Sequence, residues 1–161
     1  MNKHLYPGCF LNRIAITYKG NPLKVPPLQV LKDFFSYAKP AEHAKAFDAF
    51  CLAALSDQYS WHRGSPGNAL YYSERLELLI EAAYLLYQKP QPKNKRYEVL
   101  LEMLQSFFRY ASLMKWKKRH YAFTHAALSN SSVADELSAK VIYEHTNYLK
   151  QLIKFTSEMC E

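Results

Sequence analysis

Apolar residues recur every three or four positions through most of this chain, and this spacing is the period of an amphipathic helix. The clearest run lies on one side of the segment that begins near Lys93: Tyr97, Leu100, Leu101, Leu104, Phe107, Phe108, Ala111 and Met114. A second run near the end of the chain has the same spacing: Leu137, Val141, His145, Tyr148, Leu152, Phe155 and Met159. The pattern predicts an all-α protein.

Prolines and polar residues divide the helical pattern into five segments. The predicted helices are residues 28–38, 40–55, 68–89, 93 onward, and 132 to the end of the chain. In the fourth helix, no proline or glycine shows whether it continues through Trp116 to Ala127 or bends near His120. Because the connections are short, we expect residues 28–161 to form a single-domain antiparallel bundle of about five helices.

Residues 1–27 differ from the rest of the chain because prolines and glycines repeatedly interrupt helix formation there. Their only regular stretch is Leu11 to Tyr18, in which Ile14, Ile16 and Tyr18 alternate with other residues. Alternation is the period of a strand, and the sequence offers no second strand for pairing. We therefore predict that residues 1–27 form an extended N-terminal arm that lies over the helices.

Composition places the chain among folded proteins of one domain. It has 161 residues, of which 49% are hydrophobic and 15% aromatic, and this is too apolar for a disordered polar chain. The three cysteines, 42 and 109 residues apart, fit neither a disulfide framework nor a pair of zinc ligands. The first residues contain no apolar run of signal-peptide length, and nowhere in the sequence do roughly 18 uncharged apolar residues follow one another. We expect a cytoplasmic protein that does not span a membrane.

The formal net charge of +7 comes from two windows that contain no Asp or Glu. The first window, residues 1–32, contains Lys3, Arg13, Lys19, Lys24 and Lys32. The second window, residues 103–134, contains Arg109, Lys115, Lys117, Lys118 and Arg119. The remaining 97 residues hold 11 Lys and Arg against 14 Asp and Glu. A local positive field of this kind attracts polyanions, membrane surfaces or acidic partners.

Aromatic residues interleave with the cations of the second window, and this combination is typical of proteins that hold single-stranded nucleic acid or RNA loops. In such sites cations meet phosphates while unpaired bases stack on aromatic rings. The residues predicted to bind nucleic acid are Arg109, Lys115, Lys117, Lys118 and Arg119, with Trp116 and Tyr121 as stacking partners and Arg63 as an outlying contributor. No helix-turn-helix with a recognition helix is evident, so we favour RNA or single strands over duplex DNA. The open alternative is that the cations form only a solvated helix face.

The segment RHYAFTH, residues 119–125, resembles the Arg-x(4–6)-His signature of HEPN domains. These are helical bundles of similar size that include metal-independent ribonucleases and nucleotidyltransferase partners. The resemblance implies that Arg119 would stabilise a phosphate and that His125 would act as general acid or base. It also implies that a dimer partner would complete the site. Imidazole and guanidinium suit these roles chemically.

The spacing of the candidate ligands does not predict a metal or cofactor site. Bundles that bind two iron or manganese ions take Glu-x-x-His pairs from facing helices, whereas Glu42-His43 and Glu144-His145 are adjacent and point apart. Glycine patterns of nucleotide-binding loops are also absent. We expect no metal and no cofactor.

The sequence thus leaves three functional hypotheses. The favoured one is a non-enzymatic module that binds RNA or single-stranded nucleic acid. The first alternative is a HEPN-like metal-independent ribonuclease. The second is a module for protein interaction or oligomerisation without nucleic acid, and a homodimer is left open.

Overall fold

The computed structural model describes residues 11–57, 65–89 and 95–160. All regular structure in these residues is helical. The α-helices are α1 (Asn12–Tyr18), α2 (Pro27–Ser36), α3 (Pro40–Leu55), α4 (Pro66–Gln88), α5 (Lys95–Tyr110), α6 (Leu113–Ser129) and α7 (Ala139–Glu158). Two short 3₁₀ helices cover Pro22–Lys24 and Val133–Asp135. The all-α prediction is confirmed, but the described residues form seven α-helices and not about five.

The extended arm predicted for residues 1–27 is wrong in its described part, because Asn12–Tyr18 is a helix. Leu11 and Ile14 are fully buried and Tyr18 is half-buried, whereas Ile16 is exposed. This burial follows the helical spacing of three and four, and the alternation of Ile14, Ile16 and Tyr18 is incidental. Residues 1–10 of the predicted arm lie outside the described residues.

A carboxylate from another helix caps the start of α1. Leu11 provides no side-chain cap, and the backbone N–H groups of Arg13 and Ile14 donate instead to the Glu81 carboxylate of α4, at 3.1 and 2.8 Å. The first N–H groups of a helix have no partner within the helix and need such an acceptor. A helix of only seven residues is marginal by itself, so this contact and the burial of Ile14 together stabilise it.

The fourth predicted helix is two helices that meet at Ser112. The Ser112 side chain accepts a hydrogen bond from the backbone N–H of Lys115 at 3.3 Å, which makes it the N-cap of α6. Trp116 fixes the corner, since its indole N–H donates to the Phe107 carbonyl at 3.0 Å and the two rings stack 4.0 Å apart. A serine cap is a weaker mark in a sequence than proline or glycine, and the break was not predicted at this residue.

The last helix begins later than predicted. Ser132 caps the 3₁₀ helix Val133–Asp135, and Ser138 caps α7. Ser132 also donates its hydroxyl to the Leu55 carbonyl at 2.9 Å, which ties the connection between α6 and α7 to the end of α3.

One hydrophobic cluster runs through all seven helices. Helix α4 packs against α1, α2, α5 and α6, while α3 packs against α6 and α7. In keeping with this central place, most of the second half of α4 is buried, including Glu77 and Glu81. Among the described helices none combines the length and the apolar character that a membrane crossing requires.

Candidate nucleic-acid interface

The five cations predicted to bind nucleic acid do not share one environment. Arg109, Lys115 and Lys118 are exposed, Arg119 is half-buried and Lys117 is buried. No carboxylate in the described part of the chain forms an ion pair with the three exposed cations. We call Arg109, Lys115 and Lys118 the basic corner, because they lie on either side of the turn between α5 and α6.

Helix geometry gives the basic corner a common direction on α6. Lys115 and Lys118 are three residues apart and therefore lie on one side of the helix. Met114 and Tyr121 are also exposed on α6, and Arg109 lies in the last turn of α5, three residues before Ser112. Because residues 103–134 contain no Asp or Glu, no acidic side chain of the same segment offsets these charges.

Trp116 does not offer a stacking surface, contrary to the prediction. Its side chain is 0% exposed and is enclosed by Phe107, Tyr110, His145 and Tyr148. The sequence showed an aromatic residue among cations, but Trp116 lies on the core-facing stripe of α6. A residue in this position is part of the packing and does not contact a base without unfolding the corner.

Lys117 is likewise unavailable to a phosphate. Its ammonium lies 3.0 Å from Glu77 and 2.5 Å from Glu81, and it also donates to the side-chain oxygen of Asn12. With 5% of its surface exposed, Lys117 neutralises buried carboxylates of α4. Its predicted role as a contact to nucleic acid therefore conflicts with its place in the structure.

The two acid-free windows of the sequence do meet, but at a neutralised site. Arg13, from the first window, contacts Glu77 at 3.0 Å and Glu74 at 3.1 Å, so Arg13 and Lys117 share one carboxylate. We call Arg13, Glu77, Glu81 and Lys117 the ionic cluster. The ionic cluster joins α1, α4 and α6. Arg13 of the first window and Lys117 of the second are paired with acids there and are not free to bind a phosphate.

Burial and hydrogen bonding act against each other on the two acids of the ionic cluster. Burial raises the pKa of Glu77, but hydrogen bonds from Tyr121, Lys117 and Arg13 outweigh it and hold that pKa below its ordinary value. For Glu81, burial outweighs the bonds from Lys117 and the backbone, and the pKa lies above its ordinary value. Glu77 therefore keeps its negative charge to lower pH than Glu81, and Glu81 is the first of the two acids to take up a proton as the pH falls.

Tyr121 stands between the ionic cluster and solvent. Its hydroxyl donates to Glu77 at 2.7 Å, and 46% of its surface is exposed. The hydrogen bond holds the ring in place beside Lys118. An anchored, half-exposed ring is the kind of surface on which a base can stack.

Arg119 and His125, the residues of the HEPN-like signature, have separate surroundings. The Arg119 guanidinium lies 5.2 Å from the centre of the Tyr110 ring and 5.8 Å from that of Trp116. His125 is exposed, with its imidazole 3.7 Å from the Glu136 carboxylate. Six positions along a helix separate two residues by about 9 Å along the axis and about 120° around it. The fold alone does not bring the two side chains into one site.

A serine–histidine pair lies deeper in the same region. His120 Nε2 is 2.9 Å from the Ser73 hydroxyl, which is itself 2.5 Å from the Thr124 hydroxyl. Burial lowers the pKa of His120, and the bond to the Ser73 backbone opposes this only in part. Because Ser73 and His120 are both buried, a substrate has no path to this pair, and its role is to satisfy polar groups in the core.

The sequence reasoning missed the two acids that decide which cations are free. Glu77 and Glu81 are four residues apart in a run that is otherwise apolar, residues 76–86. Two acids on one side of a buried helix require a cation nearby, because an unpaired buried charge is costly. This signal was present in the sequence, whereas the identity of the cation was not.

The remaining predictions concern a loop and metal ligands. Arg63 lies outside the described residues. Within the described ranges, no group of three or more His, Cys, Asp or Glu side chains is placed to hold a metal ion. The chain matches no family model, no curated protein and no solved structure, so its similarity to other proteins assigns it no family.

Proposed function

We propose that the protein binds RNA or single-stranded nucleic acid through the basic corner. The observation that supports this proposal is the exposure of Arg109, Lys115 and Lys118 in a segment without acids, where no described carboxylate pairs with them. Because Lys117 and Trp116 are buried, the proposed binding surface contains fewer residues than the sequence analysis predicted. Three cations suit a short length of phosphate backbone, with an affinity that depends strongly on salt.

Each residue of the surface has a distinct task in this proposal. Arg109, Lys115 and Lys118 contact successive phosphates, and the anchored ring of Tyr121 receives one unpaired base. Arg119 packs against the rings of Tyr110 and Trp116 and is half-buried, so it contributes positive electrostatic potential without a direct phosphate contact. The contacts of Ser112 and Trp116 at the corner fix the backbone positions that carry the cations, so binding does not have to order this turn.

Fluorescence anisotropy with a labelled single-stranded RNA tests the proposal at low salt. The test variant carries Arg109→Gln, Lys115→Gln and Lys118→Gln. The matched control carries Lys24→Gln, Lys32→Gln and Lys45→Gln, three exposed lysines of the described chain that form no ion pair with its acids. Both variants lose three positive charges and have the same net charge, so a difference in affinity reports where on the surface the charges are removed.

We expect the test variant to bind RNA at least about tenfold more weakly than the wild type, and the control to bind within about twofold. Equal losses in both variants would show that net charge alone attracts RNA and would contradict the proposal. Wild-type protein that binds no RNA at low salt would contradict it as well. A duplex DNA of the same length serves as competitor and should displace the RNA poorly.

The HEPN-like ribonuclease stays a prediction, since no observation favours it over binding. It requires RNA cleavage without added metal, abolished by Arg119→Ala or His125→Ala in a folded protein. It also requires a second copy to complete the site.

A further inference from the structure

An open trough runs between α3 and α7 on the surface of the molecule. Its larger part has a volume of about 660 Å³, and a smaller cavity of about 330 Å³ continues it on the far side of Lys150. The Lys150 ammonium lies 2.7 Å from the Asp48 carboxylate, and this ion pair bridges the two parts. We call the two cavities together the α3–α7 trough.

The larger part of the α3–α7 trough is lined mainly by apolar side chains. These include Leu55 at the end of α3, Leu137 before α7, and Ile142 and Tyr143 in the first turns of α7. Tyr143 is 70% exposed and Leu55 is 43% exposed, while the neighbouring Leu52 is 56% exposed. Large exposed apolar side chains beside a cavity are a feature of many interaction sites.

The charges that border this apolar surface are predominantly negative. Asp57 follows Leu55 by two residues, and Asp135 and Glu136 directly precede Leu137. All three are exposed, and of these only Glu136 lies close to a basic side chain in the described part, the His125 imidazole at 3.7 Å. Lys150 and Lys140 are already matched by Asp48 and Glu144, at 2.7 and 4.0 Å, and a further lysine of the trough, Lys154, lines the smaller cavity and not the larger one. The trough therefore has an acidic rim, formed by Asp57, Asp135 and Glu136.

We propose that the α3–α7 trough binds an amphipathic helix of another protein, with apolar residues on one side and lysine or arginine along its flanks. A mainly apolar groove between two helices is the form in which helix-in-groove recognition occurs, and here the Lys150–Asp48 ion pair is the polar contact that crosses the groove. Helix α3 has 16 residues, so the channel beside it spans about 24 Å, the length of some four helical turns. The negative charges of the acidic rim favour a helix whose flanking residues are lysine or arginine.

The same rim argues against a second copy as the occupant. A twofold dimer brings the same surface of both subunits together, so the acidic rims of the two subunits, each formed by Asp57, Asp135 and Glu136, would lie close to one another. Repulsion between like charges would oppose that contact, whereas a cationic helix meets attraction at every one of them.

The α3–α7 trough is separate from the basic corner. Helix α6 carries Lys115 near its start and Leu128 near its end, which are about 20 Å apart along the helix axis. The end of α6 leads directly to Ser132, which bonds to Leu55 at the trough. The two surfaces therefore lie at opposite ends of α6 and can be tested independently.

Two fluorescein-labelled peptides of about 18 residues serve as probes in a binding titration at physiological salt. Both carry leucines at helical spacing; one has lysines at all remaining positions and the other has glutamates. The trough variant carries Leu55→Ser and Tyr143→Ser, two exposed positions whose change should leave the fold intact. The matched control carries Ile16→Ser and Val99→Ser, exposed apolar residues on α1 and α5. A rim variant carries Asp135→Asn and Glu136→Gln.

We expect saturable binding of the leucine–lysine peptide, at least about tenfold weaker binding to the trough variant and the rim variant, and unchanged binding to the control. The leucine–glutamate peptide should not bind. The proposal is overturned if the leucine–lysine peptide does not bind, if the trough variant binds it as the wild type does, or if both peptides bind equally. Light scattering that shows a dimer of the wild type and a monomer of the trough variant would identify a second copy as the occupant and overturn it too.

Discussion

Adjacent lysines on α6 should respond to the same substitution in opposite ways. Lys117 lies inside the ionic cluster and Lys118 lies on the surface in the basic corner. Methionine keeps the length of the side chain and removes its charge, so Lys117→Met and Lys118→Met form a matched pair. We expect Lys117→Met to destabilise the fold with no direct effect on RNA binding, and Lys118→Met to weaken RNA binding with no effect on stability.

The expected loss in Lys117→Met follows from what the lysine leaves behind. The side chains of Glu77 and Glu81 are 2% and 0% exposed, and without Lys117 the Arg13 guanidinium is the only cation among the described residues that forms an ion pair with either acid. Removing one partner of a buried ion pair costs about 3–5 kcal/mol, because a charge stays buried without compensation. At about 2–4 °C per kcal/mol for a chain of this length, the melting temperature should fall by roughly 6–20 °C.

Thermal unfolding followed by circular dichroism at pH 7 and pH 5 measures both parts of this prediction. Lys117 lowers the pKa of both acids in the wild type, so the pKa values of Glu77 and Glu81 should be higher in the folded variant than in the folded wild type. The folded variant then takes up protons as the pH falls, so the gap in stability between variant and wild type should narrow toward pH 5.

Surface substitutions such as Lys118→Met usually change stability by no more than about 0.5 kcal/mol. Equal melting temperatures for the two variants would refute the reasoning, because the ionic cluster would then not hold α1, α4 and α6 together. A gap that widens at acid pH would refute the assignment of the effect to unpaired carboxylates.

Three further predictions follow from buried groups. Burial lowers the pKa of three histidines, His43, His120 and His145. The unfolded chain then binds more protons below about pH 6.5, and stability should fall with decreasing pH by up to about 1.4 kcal/mol per pH unit for each histidine. His145→Leu should reduce this slope by the share of one histidine in urea unfolding between pH 7 and pH 5, and an unchanged slope would contradict its assignment. Trp116→Phe should lower the free energy of unfolding by about 1–3 kcal/mol, because a hydrogen bond and packing contacts are lost, and RNA affinity should stay unchanged. A tenfold loss of RNA affinity would indicate that Trp116 contacts the RNA. Burial raises the pKa of the Cys51 thiol to about 12, so Cys51 should react with a disulfide reagent at pH 8 only after unfolding. Peptide mapping separates Cys51 from the half-buried Cys160, and fast labelling of Cys51 itself in folded protein would contradict its burial.

The helical core was predictable because its signal is local. The prolines at positions 27 and 40 set the starts of α2 and α3, and the predicted range 40–55 coincides with Pro40–Leu55. The apolar seam predicted for α7 is confirmed only in part. His145 and Leu152 are buried, whereas its other members are half-buried, because the buried side of the helix also runs through Ile142, Leu149 and Ile153. Period and proline positions are properties of neighbouring residues, and no tertiary contact is needed to read them.

The site was harder to predict because its determinants are distant in the sequence. Whether Lys117 or Lys118 faces solvent depends on the rotation of α6, which Ser112 and Trp116 set at the corner with α5. The need for a buried cation arises from Glu77 and Glu81, some 40 residues earlier. Similarly, α1 forms where Glu81 caps it, and the local sequence of Asn12–Tyr18 contains no such cap. A count of charges in a window cannot distinguish a cation on the surface from one that neutralises the core.

The salt dependence of RNA binding tests the central claim most directly. Each phosphate that a cation neutralises on a single strand contributes about 0.7 to the slope of the logarithm of the association constant against the logarithm of salt concentration. If Arg109, Lys115 and Lys118 each contact a phosphate, the variant with glutamine at all three positions should show a slope smaller by about 2 than the wild type. Identical slopes for the two proteins would contradict the account, because the exposed cations at the corner of α5 and α6 would then not be the residues that bind the strand.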